Sequence, residues 1–172
     1  MLKLFVKMLG TGIITEPPPD DSAFAILGEE LKRGLNGCFH GSIAIRHVDA
    51  GSCNGCELEI QALNNPFYNV ERYGVHFVAS PRHADVLLVT GPVSRHMEAA
   101  LRRTWEAMPA PKWVIASGVC ACDGGEFGIS YASCGAVDNV LPVDLRITGC
   151  PPSPSELLSG LLQLTQTAGV KG

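Results

Sequence analysis

Gly51-Ser52-Cys53-Asn54-Gly55-Cys56-Glu57 joins two stretches of different periodicity. Before it, Ser42 to Val48 is an apolar run of strand length. After it, Glu57 to Leu63 repeats its apolar residues at helical spacing. A tight loop of small residues between a strand and a helix is the first half of a βα unit. The loop also carries a Cys-x-x-Cys pair. Two thiolates at that spacing on one turn can bind a single metal centre together.

Working outward, the pattern repeats. Val75 to Ala79 is a second predicted strand, Asp85 to Thr90 a third, Lys112 to Ser117 a fourth and Val143 to Ile147 a fifth. The third, Asp-Val-Leu-Leu-Val-Thr, is apolar on both faces, as a central parallel strand must be. Ser94 is placed to cap a helix running to about Ala107, and Ser153 or Ser155 to cap a last helix reaching about Thr165. Strands alternating with helices at this spacing predict an α/β fold: an open, mostly parallel sheet with helices on both faces.

Upstream the reading is different. Met1 to Met8 reads as amphipathic helical turns, with Leu2, Phe5, Val6 and Leu9 near one face, suited to packing on the domain or to docking on a partner. Glu16-Pro17-Pro18-Pro19-Asp20-Asp21 is a stiff, extended linker. Asp21 or Ser22 can cap a short helix, Ala23 to Arg33, which Gly34 and Gly37 are expected to stop. The expected organisation is an N-terminal extension over residues 1–40 and a main domain over residues 41–172.

Composition narrows the function classes. The 172 residues suit one domain. At 46% hydrophobic and 17% charged, the chain carries an apolar excess expected to be partner surface. The net charge of -4 and the scattered Lys and Arg give no basic stripe for nucleic acid. Seven cysteines do not close a disulfide framework, and they lie among Gly, Asn and Pro, as metal or redox cysteines do in a reducing compartment. Lys7 interrupts the apolar N-terminus, no twin arginine is present, and no later run is long enough to span a bilayer. The expected location is cytoplasmic, with any membrane contact peripheral or through partners.

Cys53 and Cys56 follow the first strand, Cys120 and Cys122 the fourth, and Cys150 the fifth. In an open α/β sheet the loops beyond the carboxyl ends of the strands gather on one edge, where such folds bind ligands. Four thiolates from three loops can therefore meet. That donor set suits a [4Fe-4S] cluster or a structural zinc. The spacing favours the cluster without deciding it: zinc sites more often use two tight knuckles, and Pro directly after a ligating Cys recurs in iron–sulfur sequences. Cys120 and Cys122 compete for the third place. Cys134 and Cys38 read as loop or core thiols.

Several stretches together resemble the small, cluster-bearing subunit shared by respiratory complex I and the membrane-bound energy-converting [NiFe] hydrogenases. They are Cys53-Asn54-Gly55-Cys56-Glu57, Ala79-Ser80-Pro81-Arg82, Asp85 to Gly91, Gly118-Val119-Cys120 and Gly149-Cys150-Pro151-Pro152. The resemblance runs from about Ile43 to Leu162. It implies a flavodoxin-like fold carrying one [4Fe-4S] cluster on Cys53, Cys56, Cys120 and Cys150, and so chooses Cys120 over Cys122. Complex I members look to have two adjacent cysteines at the first ligand position. Here Cys-Asn-Gly-Cys-Glu stands instead, as in the hydrogenase branch, and Arg46 to Ser52 is similar to formate hydrogenlyase and hydrogenase-4 type subunits. The Tat signal and the extra cysteines of three-cluster periplasmic small subunits are missing.

The resemblance implies a one-electron relay between a ferredoxin-like iron–sulfur subunit and a large catalytic subunit, in a complex with membrane subunits. The chain itself would bind neither nickel nor quinone. It also implies that Glu57 takes part in a proton path; from the residues alone, Glu57 is a first-turn acid favoured by the helix dipole. Arg82 and His83 are expected at the same sheet edge, as a solvated pair or as neighbours of the centre. Asp123 and Glu126 are weaker candidates for proton traffic, and His47, His76 and His96 read as structural. Three competing readings are a nickel-free complex I-like or sulfur-reducing relative, a zinc-stapled binding module, and a flavin binder. The last would need a phosphate-cradling loop where the cysteine loop stands.

Overall fold

The structure is a computed structural model. It describes residues 21–168 continuously and, before them, positions 3, 6, 7 and 10. Those four are helical and exposed, Val6 among them; the rest of the expected amphipathic segment and the Pro-rich linker lie outside the described residues.

Five parallel strands form one sheet. In chain order they are β1 (Ile43–Asp49), β2 (Val75–Phe77), β3 (Val86–Thr90), β5 (Trp113–Ser117) and β7 (Leu145–Ile147), and their spatial order is β2-β1-β3-β5-β7. Two short strands, β4 (Val93–Ser94) and β6 (Ser133–Gly135), pair antiparallel beside it. The helices are α1 (Asp21–Cys38), α2 (Gly55–Ala62), α3 (Arg95–Ala107), α4 (Val119–Asp123) and α5 (Pro154–Ala168). Counting only the parallel strands, the order is the doubly wound 2-1-3-4-5 arrangement, with its ligand edge at the carboxyl ends.

Strand periodicity builds two core layers. Ile43 and Ile45 of β1, Val86 and Leu88 of β3, and Trp113 and Ile115 of β5 face one way, onto Leu31 and Leu35 of α1, Ile60 of α2 and Leu158 and Leu161 of α5. Leu87, Val89, Val114 and Ala116 face the other way, onto Leu101 of α3, Ala121 of α4 and Val137. Every residue of β3 is buried, which is why that stretch is apolar on both faces. Ser94 caps α3 as expected, its hydroxyl accepting from the N–H of Met97 at 3.3 Å. Ser153 and Glu156 cap α5 reciprocally: the Ser153 N–H donates to the Glu156 carboxylate at 2.7 Å, and the Glu156 N–H donates to the Ser153 hydroxyl at 3.4 Å.

Two local expectations are corrected. First, α1 does not stop at Gly34 and Gly37 but runs on to Cys38. Gly34 is there for contact: a Cβ on it would stand 2.5 Å from the Thr165 hydroxyl of α5. Missing bulk lets the two helices approach, and that packing outweighs the intrinsic cost of glycine, about 1 kcal/mol. Residues 24–39 thus supply core side chains, Phe24, Leu31, Leu35 and Phe39. Second, the Gly118 to Gly125 stretch expected as a loop holds the short helix α4, which fixes Cys120 and Cys122 on helical backbone.

Candidate metal centre

The first thiol pair sits on a turn built by side chains. After β1, the Asp49 carboxylate accepts from the N–H groups of Gly51 and Ser52, both at 2.8 Å, and the Ser52 hydroxyl accepts from the N–H of Asn54 at 2.9 Å. Asn54 is left-handed at φ 72°, and α2 begins at the next residue. Cys53 is exposed on this turn; Cys56 lies in the first turn of α2 and is half-buried.

The other two loops are tied together by backbone. After β5, the Gly118 N–H donates to the Ile147 carbonyl at 2.8 Å, and the Val119 N–H donates to the Gly149 carbonyl at 2.9 Å. Cys120, on α4, is thereby held beside the Cys150 loop. Gly118 has φ 90° and ψ 154°, a backbone region open essentially only to glycine. A Cβ there would meet the Cys56 Sγ at 2.7 Å, so the β5 loop backs directly onto the α2 thiol. A Cβ on Gly55 would have both the Cys53 Sγ, at 3.6 Å, and Pro151, at 3.9 Å, as neighbours.

Electrostatics show the same convergence. Burial pushes the Cys56 thiol up to about 11; Glu57 and the thiols of Cys53, Cys120 and Cys150 push in the same direction. Burial also raises Cys120, helped by Cys150, Cys53 and Asp123. At Cys56 and Cys120 the neighbouring thiols thus add to the burial that disfavours the thiolate, and a bound cation reverses that sign. Among the described residues, no three His, Cys, Asp or Glu side chains are drawn tightly enough round one point to hold a single metal ion.

Cys122 points away from this group. Its Sγ lies 3.5 Å from the Ala116 carbonyl and 3.6 Å from that of Ile147, and burial pushes its thiol up to about 11. Cys134 is buried against the Glu98 carboxylate at 3.4 Å, and the Cys38 Sγ donates to the Gly34 carbonyl at 3.2 Å. All three thiols make their hydrogen bonds away from the other four.

Glu57 is buried beside Cys56. Its carboxylate accepts from the hydroxyls of Ser52 and Thr90, and His47 Nε2 lies 3.6 Å from it and 3.0 Å from the Thr90 hydroxyl. Burial lowers the His47 pKa, opposed by Glu57 and Asp49 and reinforced by Arg46. His47, read from sequence as merely structural, is therefore part of the Glu57 group, and Thr90 and Ser52 complete it. A polar residue ending an otherwise buried strand, as Thr90 does, was the sequence signal for this group. Arg82 and His83 lie in a 3-10 turn, Pro81–His83, capped by Ser80, and both are exposed. Asp123 accepts from the Gly125 N–H at 2.8 Å as a turn residue, and Glu126 is exposed.

An open parallel sheet with four thiols on the loops at its carboxyl edge defines an α/β protein with a candidate metal centre between loops. The family described as NADH ubiquinone oxidoreductase, 20 Kd subunit, matches residues 53–164, and the chain belongs to that family. The chain is similar to formate hydrogenlyase subunit 7 of Escherichia coli, 46% identical over 119 residues, covering 69% of this chain but 47% of that protein. It is also similar to the probable membrane-bound hydrogenase subunit mbhJ of Pyrococcus furiosus, 47% identical over 116 residues, 67% of this chain and 70% of the relative. Among solved structures, a chain of the membrane-bound sulfane sulfur reductase, an archaeal respiratory membrane complex, superposes with a TM-score of 0.68 at 31% identity, covering 80% of this chain and 76% of that one. A chain of an NAD+-reducing [NiFe]-hydrogenase superposes with a TM-score of 0.58 at 18% identity over 73% of this chain and 92% of that one, a likeness of fold. No described helix is long and apolar enough to cross a membrane.

Proposed function

We propose that the chain is the electron-transfer subunit of a multi-subunit, membrane-associated oxidoreductase of the [NiFe] hydrogenase and formate hydrogenlyase type. In this reading Cys53, Cys56, Cys120 and Cys150 hold one [4Fe-4S] cluster. The observation that supports it is geometric: the three strand-end loops that carry these thiols back onto one another, with the Cys56 Sγ against Gly118 and Gly55 between the Cys53 Sγ and Pro151. Thiols gathered on neighbouring loops at one sheet edge fit a cationic, thiolate-preferring group. When bound, such a cluster supplies one-electron transfer and, with four thiolates closing it, no open site for substrate.

The chain's own residues do the rest. Gly118 and Gly125 bring backbone close to the Cys56 and Cys120 sulfurs and exclude side-chain bulk. Pro151 and Pro152 hold the Cys150 loop without offering N–H groups. The exposed Cys53 and Cys150 mark the side facing a partner. The proposed partners are a ferredoxin-like iron–sulfur subunit on one side and the large catalytic subunit on the other, with membrane subunits anchoring the assembly at the cytoplasmic face. Glu57 is the proposed proton-relay residue at the large-subunit interface, its carboxylate oriented by Ser52 and Thr90.

A second reading has a specific observation behind it. The 31% identity to a sulfane sulfur reductase chain supports a nickel-free, sulfur-reducing or complex I-like assembly built on the same subunit. Metal analysis with EPR on the anaerobically purified native assembly tests both. About four irons assigned to this subunit and a reduced-state signal lost in Cys150→Ala are expected. Nickel in the large subunit selects the hydrogenase reading, and its absence selects the second. Zinc with no EPR signal would overturn the electron-transfer role altogether.

A further inference from the structure

We infer that the Ser117 hydroxyl is a hydrogen-bond donor to a sulfur of the centre held by Cys53, Cys56, Cys120 and Cys150; this rests on the cluster reading above. Ser117 is completely buried, and its Oγ has no hydrogen-bond partner among the described residues. A buried hydroxyl left unpaired is rare and unfavourable, so an acceptor outside the polypeptide is called for.

The position says which acceptor. Ser117 is the last residue of β5 and shares the face of Trp113 and Ile115, the layer covered by α1, α2 and α5. Its register partner on β3 is Thr90, on the same face. The Thr90 hydroxyl is committed to Glu57 on α2. One strand further along stands the same kind of group with nothing to bind. The residue after Ser117 is Gly118, whose missing side chain makes room for the Cys56 Sγ, and Cys120 follows two residues later. Ser117 thus ends its strand one residue before the backbone against which the Cys56 Sγ packs. A donor to sulfur stabilises the more negative, reduced state and raises the reduction potential.

The test is an EPR-monitored redox titration of the anaerobically purified native assembly, with iron content measured alongside. Ser117→Ala should keep its iron and its signal. At a fixed potential its reduced-to-oxidised ratio should fall about tenfold, a shift of about 59 mV for one electron. Ser117→Thr should restore the wild-type ratio. Pulsed EPR in D2O should show an exchangeable deuteron coupling that Ser117→Ala lacks and Ser117→Thr retains. Wild-type iron content with an unchanged potential in Ser117→Ala would overturn the inference, the hydroxyl then serving only an ordered water. Should Ser117→Ala fail to assemble, the equal-shaped pair Ser117→Thr and Ser117→Val isolates the hydroxyl, and equal behaviour of the two would overturn it. A wild-type assembly without iron is a different result and would overturn the cluster reading itself.

Discussion

Gly118 backs onto the Sγ of Cys56 so closely that a Cβ on it would stand 2.7 Å from the sulfur. The β5 loop and the α2 thiol therefore share one volume. Gly118→Ala would displace Cys56 and also force a non-glycine residue into the φ 90°, ψ 154° region, at a cost of roughly 1–3 kcal/mol. The expected outcome is a lower unfolding midpoint and a loss of bound iron, read by thermal denaturation and metal analysis. Wild-type iron in a folded Gly118→Ala chain would contradict the geometry.

The cysteines should divide cleanly. Cys150→Ala should lose iron from the purified assembly, whereas Cys122→Ala should keep it, because the Cys122 Sγ is directed at the Ala116 and Ile147 carbonyls rather than at the other thiols. Iron loss in Cys122→Ala equal to that in Cys150→Ala would show that α4 presents the other thiol.

Thr90→Val keeps the volume of a fully buried strand residue but takes one donor from the Glu57 carboxylate. Leaving a buried acceptor short of a partner costs about 1–3 kcal/mol. Chemical denaturation should show a loss of that order, larger than the loss from Thr104→Val, whose hydroxyl bonds a carbonyl on the exposed side of α3.

His47 makes stability depend on pH. Its folded pKa lies below the ordinary 6.5 because burial disfavours the imidazolium, even with Glu57 and Asp49 nearby and Arg46 opposing them. The unfolded chain then binds a proton that the folded chain refuses, so stability falls as pH drops from about 6.5 toward the lowered value. His47→Gln should lose less stability than wild type between about pH 7.5 and about pH 5, measured by urea denaturation at each pH. An equal loss would mean that other groups carry the acid sensitivity.

Helix α1 offers a contest of two effects. Gly28→Ala gains helix propensity, about 1 kcal/mol. It also drives a Cβ to 2.3 Å from the buried Tyr73 ring, and overpacking of that kind costs about 1–3 kcal/mol. Net destabilisation is expected. Leu31→Ala, at a fully buried position of the same helix, should cost about 2–5 kcal/mol. A near-neutral Leu31→Ala would show residues 21–38 to be an appendage rather than part of the core.

Much of this was readable from the residues. Asp85 to Thr90 and Lys112 to Ser117 are continuous apolar runs, because strands covered on both faces leave no room for alternation. The cysteine positions followed from the strands, since the carboxyl ends of parallel strands gather on one edge. The end of α1 was misread because Gly34 stops a helix only if nothing rewards close approach, and Thr165, which does, is distant in the chain. The short helix α4 was hidden among glycines. The partnership of His47, Thr90 and Glu57 joins three elements; the polar end of a buried strand at Thr90 marks one member, but nothing local names its partners.

The thiols gathered at the sheet edge are also spread along the chain, from Cys53 near its first third to Cys150 near its end. A ribosome has made β1, β3 and β5 before the last of them exists. Any group held by all four can close only after β7 has joined the sheet and brought Cys150 to Gly118 and Val119. For the cluster proposed above, insertion is therefore a late event in the life of the chain. Its completion reports that the whole sheet, and not merely the Cys-x-x-Cys turn, has formed.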